Sequence, residues 1–353
     1  MSWTKIIKLN LIITISLLII LEFALFFFFQ VWDRESGEDS NQYNLKPNFT
    51  DDVRGFKKET KNFRGYPYKA FLGWVSPDIQ GEYLNVKDGS RLTVLASSID
   101  YEETLHFFGG STMWGANVSD KNTIPSNISK NLNIRAINYG EQAYNSRQEL
   151  NLLLDKIDSF QTNDIVIFYD GVNDVYHNCR SHNSHNGHAR EFFIKQKLSS
   201  NNQDQDNLLK NLSTYRFMKG LNKRLFSNNS SEIKLYANTC NNLENANDVA
   251  NFLVNNWKSV ESILNERNIK FVCGLQPNPY TFEGDIAYSL EEMKNQIRSV
   301  YPLIRKKAKN LSCFVDYSLS LSTDNYIDEC CHLNEKGNLE VSKAISSSIR
   351  KHL

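Results

Sequence analysis

The pattern of apolar and polar positions along the chain sets out its elements before any chemistry is considered. Residues 9 to 32 are almost wholly apolar, long enough to cross a bilayer as one helix. Residues 35 to about 65 are polar and charged and predict a tether. Beyond them, apolar runs of strand length recur at residues 105 to 109, 134 to 140, 164 to 171, 269 to 275 and 313 to 317. Between these runs the spacing changes to three and four. Leu150, Leu153, Leu154 and Ile157 share one helical face, as do Val249, Phe252, Leu253, Trp257 and Val260, and later Val341, Ala344, Ile345 and Ile349. A further helix is predicted near residues 288 to 309. Buried strands alternating with helices of this length predict an α/β domain with a parallel sheet covered on both faces.

Two stretches depart from that rhythm. Residues 66 to 93, with alternating aromatics and Asp88-Gly89, predict short strands beside the main sheet. Residues 175 to 245 are rich in Asn, Ser and Asp and read as an insertion at the site edge of the sheet. Ser146-x-x-Glu149 has the spacing of a capping box. The expected organisation is a transmembrane signal-anchor (1–34), a tether (35–65) and one domain (66–353).

Lys5 and Lys8 precede the apolar span, so the start of the chain is expected in the cytoplasm and the domain outside it, periplasmic or extracellular, as a single-pass protein. No small-residue cleavage site follows, which favours an anchor over a removed signal. Glu22 inside the span costs about 2.5–3.5 kcal/mol on insertion scales. Charge adds an exclusion: 40 basic against 40 acidic residues leave no field to attract nucleic acid. Of the six cysteines, Cys273 and Cys313 fall in predicted core strands and are expected as buried thiols, whereas Cys179 and Cys240 bracket the insertion and are a conceivable pair. His177, His182, His185 and His188 with Cys179 fit no metal-ligand spacing, so no metal is expected.

The candidate chemistry starts at Phe107-Phe108-Gly109-Gly110-Ser111, where a buried strand would deliver a serine at its carboxyl end. A serine hydroxyl needs a base to become a nucleophile. His332, just before the last helix, can take that part, oriented by Glu329 or Asp328 upstream of it. In an extended segment the two carboxylates point to opposite faces, so only one can reach the imidazole. The Ser111 N–H, the Gly140 N–H and the Asn173 side chain can form an oxyanion hole.

Gly110-Ser111, Gly140, Gly171-x-Asn173-Asp174 and His332, in that order, resemble the blocks of the SGNH (GDSL-like) hydrolases over roughly residues 105 to 350. Asn138-Tyr139-Gly140-Glu141 and residues 168 to 174 are similar to bacterial membrane-anchored members. Gly110 stands where the family usually has Asp. The resemblance implies a flavodoxin-like three-layer α/β/α domain acting as a serine esterase without metal or organic cofactor. It also points to the acid three positions before the histidine, which is Glu329. An envelope location suggests O-acyl, including O-acetyl, esters of a glycan as substrate. Acyl transfer at the same site, or a non-catalytic glycan-binding module, are the alternatives.

Overall fold

In this computed structural model residues 2–36, 50–61, 65–180, 191–192, 194–195, 212–226, 237–281, 290–319 and 321–353 are described. The chain forms two compact units, residues 1–42 with 193–234, and residues 43–192 with 235–353. The first begins with a single helix, α1 (Trp3–Ser36). Within Trp3–Val31 an 18-residue stretch has a mean hydropathy of 2.8, so the helix is long and apolar enough to cross a membrane.

The second unit opens on α2 (Asp51–Thr60), inside the stretch expected to be a tether. Its sequence carries the reason. Thr50 caps the first turn, Asp51 and Asp52 sit at the positive end of the helix dipole and Lys57 and Lys58 at the negative end. Val53 and Phe56, three apart, are buried, and Phe56 packs with Leu84, Val86 and Trp114. Only two short strands form between residues 66 and 93, β1 (Val86–Lys87) and β2 (Ser90–Arg91). They are joined by Asp88-Gly89, both at positive φ, as a tight hairpin requires.

The domain proper then alternates. β3 (Thr104–Gly109) leads into the short α3 (Ser111–Trp114), and α4 (Ile124–Leu132) into β4 (Arg135–Asn138). α5 (Ser146–Lys156) precedes β5 (Ile165–Asp170), which runs into α6 (Val172–Asn178). The insertion then contributes α7 (Ser213–Phe226) to the first unit. There the amides of Ser213 and Thr214, unpaired by the helix itself, donate to the Glu22 carboxylate of α1, and Arg216 lies 4.2 Å over the Phe29 ring. The chain returns as α8 (Leu243–Asn265), β6 (Lys270–Leu275), α9 (Glu291–Ala308), β7 (Phe314–Asp316) and α10 (Glu335–Ile349).

The strand order is β1-β2-β4-β3-β5-β6-β7. β4, β3, β5, β6 and β7 are parallel, while the β1–β2 hairpin adds antiparallel to β4, so the expected parallel sheet is mixed at one edge. Two cores cover the faces. Along β5, Val166 and Phe168 point to one face with α5, α6, α8 and α9, and Ile165, Ile167 and Tyr169 to the other with α4 and α10, the two-residue alternation of a strand buried on both sides.

Cys179 and Cys240 are bonded at the base of the insertion. Cys273 and Cys313 are also bonded, against the expectation of two thiols. Pairing of β6 with β7 explains it: the Cys273 amide donates to the Cys313 carbonyl at 2.8 Å, which sets the two Cα atoms 5.1 Å apart, within disulfide reach.

Candidate active site

The parallel strands, numbered in chain order among themselves, run 2-1-3-4-5, and such a sheet binds ligands at the carboxyl ends where the order reverses. Here that point lies between β3 and β5. Ser111 follows β3, Asn173 follows β5, and both arrive there because their strands end there.

Ser111 is the first residue of α3, with Gly110 as its extended cap. Its Oγ lies 2.7 Å from His332 Nε2. At 8 % exposure it is sheltered yet open to a substrate. His332 Nδ1 meets Asp328 Oδ2 in a short, charge-assisted contact. Asp328 Oδ1 accepts the amides of Cys330, Cys331 and His332 at 3.0, 3.1 and 3.2 Å, so the acid holds both the imidazole and the backbone that carries it. Thr112 Oγ1 donates to the Cys331 carbonyl at 3.4 Å, tying this loop to the helix that Ser111 begins.

Of the two candidate carboxylates it is Asp328, not Glu329, that meets the imidazole. The segment is not extended but a hairpin, closed by a Tyr326–Leu333 bridge and by the Ile327 N–H donating to the His332 carbonyl at 2.9 Å. Asp328 is the first residue of its loop and folds back over the turn, the habit of Asp at such positions. Glu329 sits at the tip, where its carbonyl accepts the Tyr280 hydroxyl.

Burial opposes a charge on His332, but the neighbouring Asp328 carboxylate and Cys331 sulfur outweigh it and push the imidazole up to about 9. Burial likewise opposes the Asp328 charge, and His332 with the loop amides still holds it below the usual carboxylate range.

Of the predicted oxyanion donors, Asn173 is best placed. A Cβ on Gly110 would lie 2.2 Å from Asn173 Nδ2, so glycine there is what lets the amide sit against the backbone beside Ser111. Asn173 Nδ2 donates one hydrogen to the Tyr144 carbonyl at 2.8 Å and has a second to give. The Gly140 N–H donates to Asn138 Oδ1 at 2.9 Å, so it is partly committed. Asn138 is itself anchored by donating from its side chain to the Met113 carbonyl at 3.1 Å.

Also unforeseen is a group of buried acids behind Asn173. Ser146 does not cap α5. Asn145 does, and the Ser146 hydroxyl donates to Asp174 at 2.5 Å while Asn256 donates to Ser146 at 2.7 Å. Glu149, the other half of the expected capping box, is buried beside Asp170, which accepts Trp257 Nε1 at 2.6 Å. Burial pushes Asp170 up to about 6 and Asp174 up to about 8, and burial with the nearby Asp170 charge raises Glu149 further from its ordinary value.

Among the described residues no cluster of His, Cys, Asp or Glu could hold a metal. His182, His185 and His188 lie outside the described residues.

The four sequence blocks thus meet at one end of one sheet, in the strand order that the resemblance implied. The architecture is a three-layer α/β/α sandwich around a mostly parallel sheet, as the resemblance implied. No family model matches the chain, and no curated protein matches it. Among solved structures it is similar to a carbohydrate acetylesterase family member from Sinorhizobium meliloti (13% identity, 71% of this chain and 99% of that one, TM-score 0.42). It is similar also to a putative arylesterase from Agrobacterium tumefaciens (14%, 71% and 100%, 0.42) and to a GDSL-like lipase from Bacteroides thetaiotaomicron (16%, 73% and 93%, 0.41).

Proposed function

We propose that the chain is a serine ester hydrolase, anchored by α1 with its domain outside the cytoplasm, and that it removes O-acyl groups from an envelope or extracellular glycan. The observation that carries the reading is the aligned series Ser111 Oγ, His332 Nε2, His332 Nδ1 and Asp328 Oδ2 with Asn173 alongside. In its neutral form His332 takes the Ser111 proton as Oγ attacks the ester carbonyl. Asp328 stabilises the imidazolium that results. The oxyanion is met by the Ser111 N–H at the start of α3 and by the Asn173 amide. His332 then gives its proton to the departing alkoxide, and water repeats the sequence on the acyl-serine.

Two lines support the location. Lys5 and Lys8 precede the span, and two disulfides lie in the domain, which suits an oxidising compartment. A glycan ester is the substrate class such a place offers. A fluorophosphonate probe reacting with folded protein is expected to leave one adduct, on Ser111, with release of acetate from O-acetylated glycan lost in Ser111→Ala. No adduct in folded protein would reduce the chain to a glycan-binding module.

A further inference from the structure

Cys330 and Cys331 are neighbours in the chain, both are buried, and their Sγ atoms are 2.9 Å apart. They are also the cysteines left over: the other four are taken by the Cys179–Cys240 and Cys273–Cys313 bonds. Their place in the fold is what makes the pair notable. They fill the second half of the loop Asp328-Glu329-Cys330-Cys331, whose amides at 330 and 331 converge on Asp328 Oδ1 and whose next residue is His332.

We propose that Cys330 and Cys331 close to a vicinal disulfide, and that this crosslinked loop is the working form of the site. Nothing else needs to move far, because the sulfurs meet while Ser111, His332 and Asp328 are already aligned. The bond would restrict the backbone of two loop residues whose N–H groups hold the acid, which is preorganisation of the groups behind the base. The functional half of this proposal rests on the hydrolase reading, and the chemical half does not.

The chemistry is thiol–disulfide exchange with a disulfide donor, the class of reagent that the other two bonds also require. The Cys331 thiolate attacks one sulfur of the donor, forming a mixed disulfide and releasing one thiolate. Cys330 then attacks Cys331 Sγ, closing the ring and releasing the second. Two protons and two electrons leave the cysteine pair and end on the donor as two thiols. The contact with Cys330 lowers the Cys331 thiol and raises that of Cys330, which suits Cys331 to the first attack. Adjacent Cα atoms are about 3.8 Å apart, under the usual disulfide span, so the ring is strained and opens more readily than the other two bonds.

The test uses the full chain in detergent, folded under oxidising conditions without reductant and denatured in iodoacetamide. The expected result is no alkylated cysteine before reduction, six after it, and a peptide containing residues 330 and 331 that is lighter by two hydrogens. On stepwise reduction with dithiothreitol, Cys330 and Cys331 should alkylate first. Alkylation of both in the unreduced chain, or their linkage to other cysteines, overturns the proposal. For the functional half, the Cys330→Ser/Cys331→Ser variant is expected to keep its KM and lose between about 10- and 10²-fold in kcat. Wild-type kcat in that variant would leave the disulfide without a part in positioning. Failure of Ser111 to label in the wild type would instead strike the hydrolase reading and leave the alkylation count standing.

Discussion

At the scale of single residues, the site depends on one carboxylate doing two tasks. Asp328 orients the His332 imidazole and, through its other oxygen, fixes the loop amides. A base must be unprotonated to act, so turnover should rise as pH rises through the His332 value, which the Asp328 carboxylate, against the effect of burial, holds above the ordinary 6.5. Asp328→Asn removes the charge that raises it. The expected outcome is a rising limb of kcat/KM displaced to lower pH, with kcat reduced by up to about 10⁴-fold. Glu329→Gln should leave both unchanged, since its side chain makes no contact with the imidazole. Equal effects of the two, measured on purified variants across pH, would return the acid to doubt. That Ser111, Asn173 and His332 come to one end of the sheet was legible, because Ser111 and Asn173 closely follow apolar strand runs and His332 shortly precedes the last helix. The choice between Asp328 and Glu329 was not, because it turns on a hairpin whose closing contacts, Ile327 to His332 and Tyr326 to Leu333, leave no mark in the hydrophobic pattern.

At the scale of elements, the helix after β4 shows how a correct element can carry a wrong local reading. α5 was visible from its leucines, yet Ser146 and Glu149 are turned inward by the approach of α6 and α8, and only tertiary packing decides that. The same holds for α2, whose short apolar face is overshadowed in sequence by its charges, and for Cys273 and Cys313, which meet only because β6 and β7 are neighbours. Burying Glu149 beside Asp170 and Asp174 has a consequence for stability. All three are shifted up, so the folded state keeps protons that the unfolded chain gives up at about pH 4–4.5. Stability should therefore fall as pH rises from there through about 6 to 8, and level off above the folded values. Glu149→Gln keeps a donor towards Asp170 and never ionises. It is expected to match wild type at pH 5 and to raise Tm by about 2–4 °C at pH 8, as about 1 kcal/mol does in a domain of this size. A Tm that falls equally at both pH values would mean that Glu149 is needed in its charged form.

At the scale of the whole molecule, the question is on which side of a membrane the chemistry takes place. The apolar segment Trp3–Val31 has 29 residues, and at about 1.5 Å per residue it exceeds the roughly 30 Å of a hydrocarbon core. A helix of that length can keep Lys5 and Lys8 at one interface and still carry its last turns beyond the other. Glu22 then need not be an isolated charge in lipid, since the amides of Ser213 and Thr214 supply the hydrogen bonds that water otherwise would. A removed signal peptide has no use for such a partner within the mature chain, whereas a retained anchor does. Reporter fusions after residue 40 are therefore expected to be active only with a reporter that folds outside the cytoplasm, and the full-length chain should stay in the membrane fraction after alkaline or high-salt washing. A soluble mature chain beginning beyond Trp32 would show that the helix is cleaved, and would leave the same site on a secreted enzyme. Glu22→Gln offers a finer reading of the same question: weakening the contact with α7 should make residues 193 to 234 more susceptible to added protease while the segment remains in membranes. Unchanged cleavage would mean that the insertion is held by other contacts.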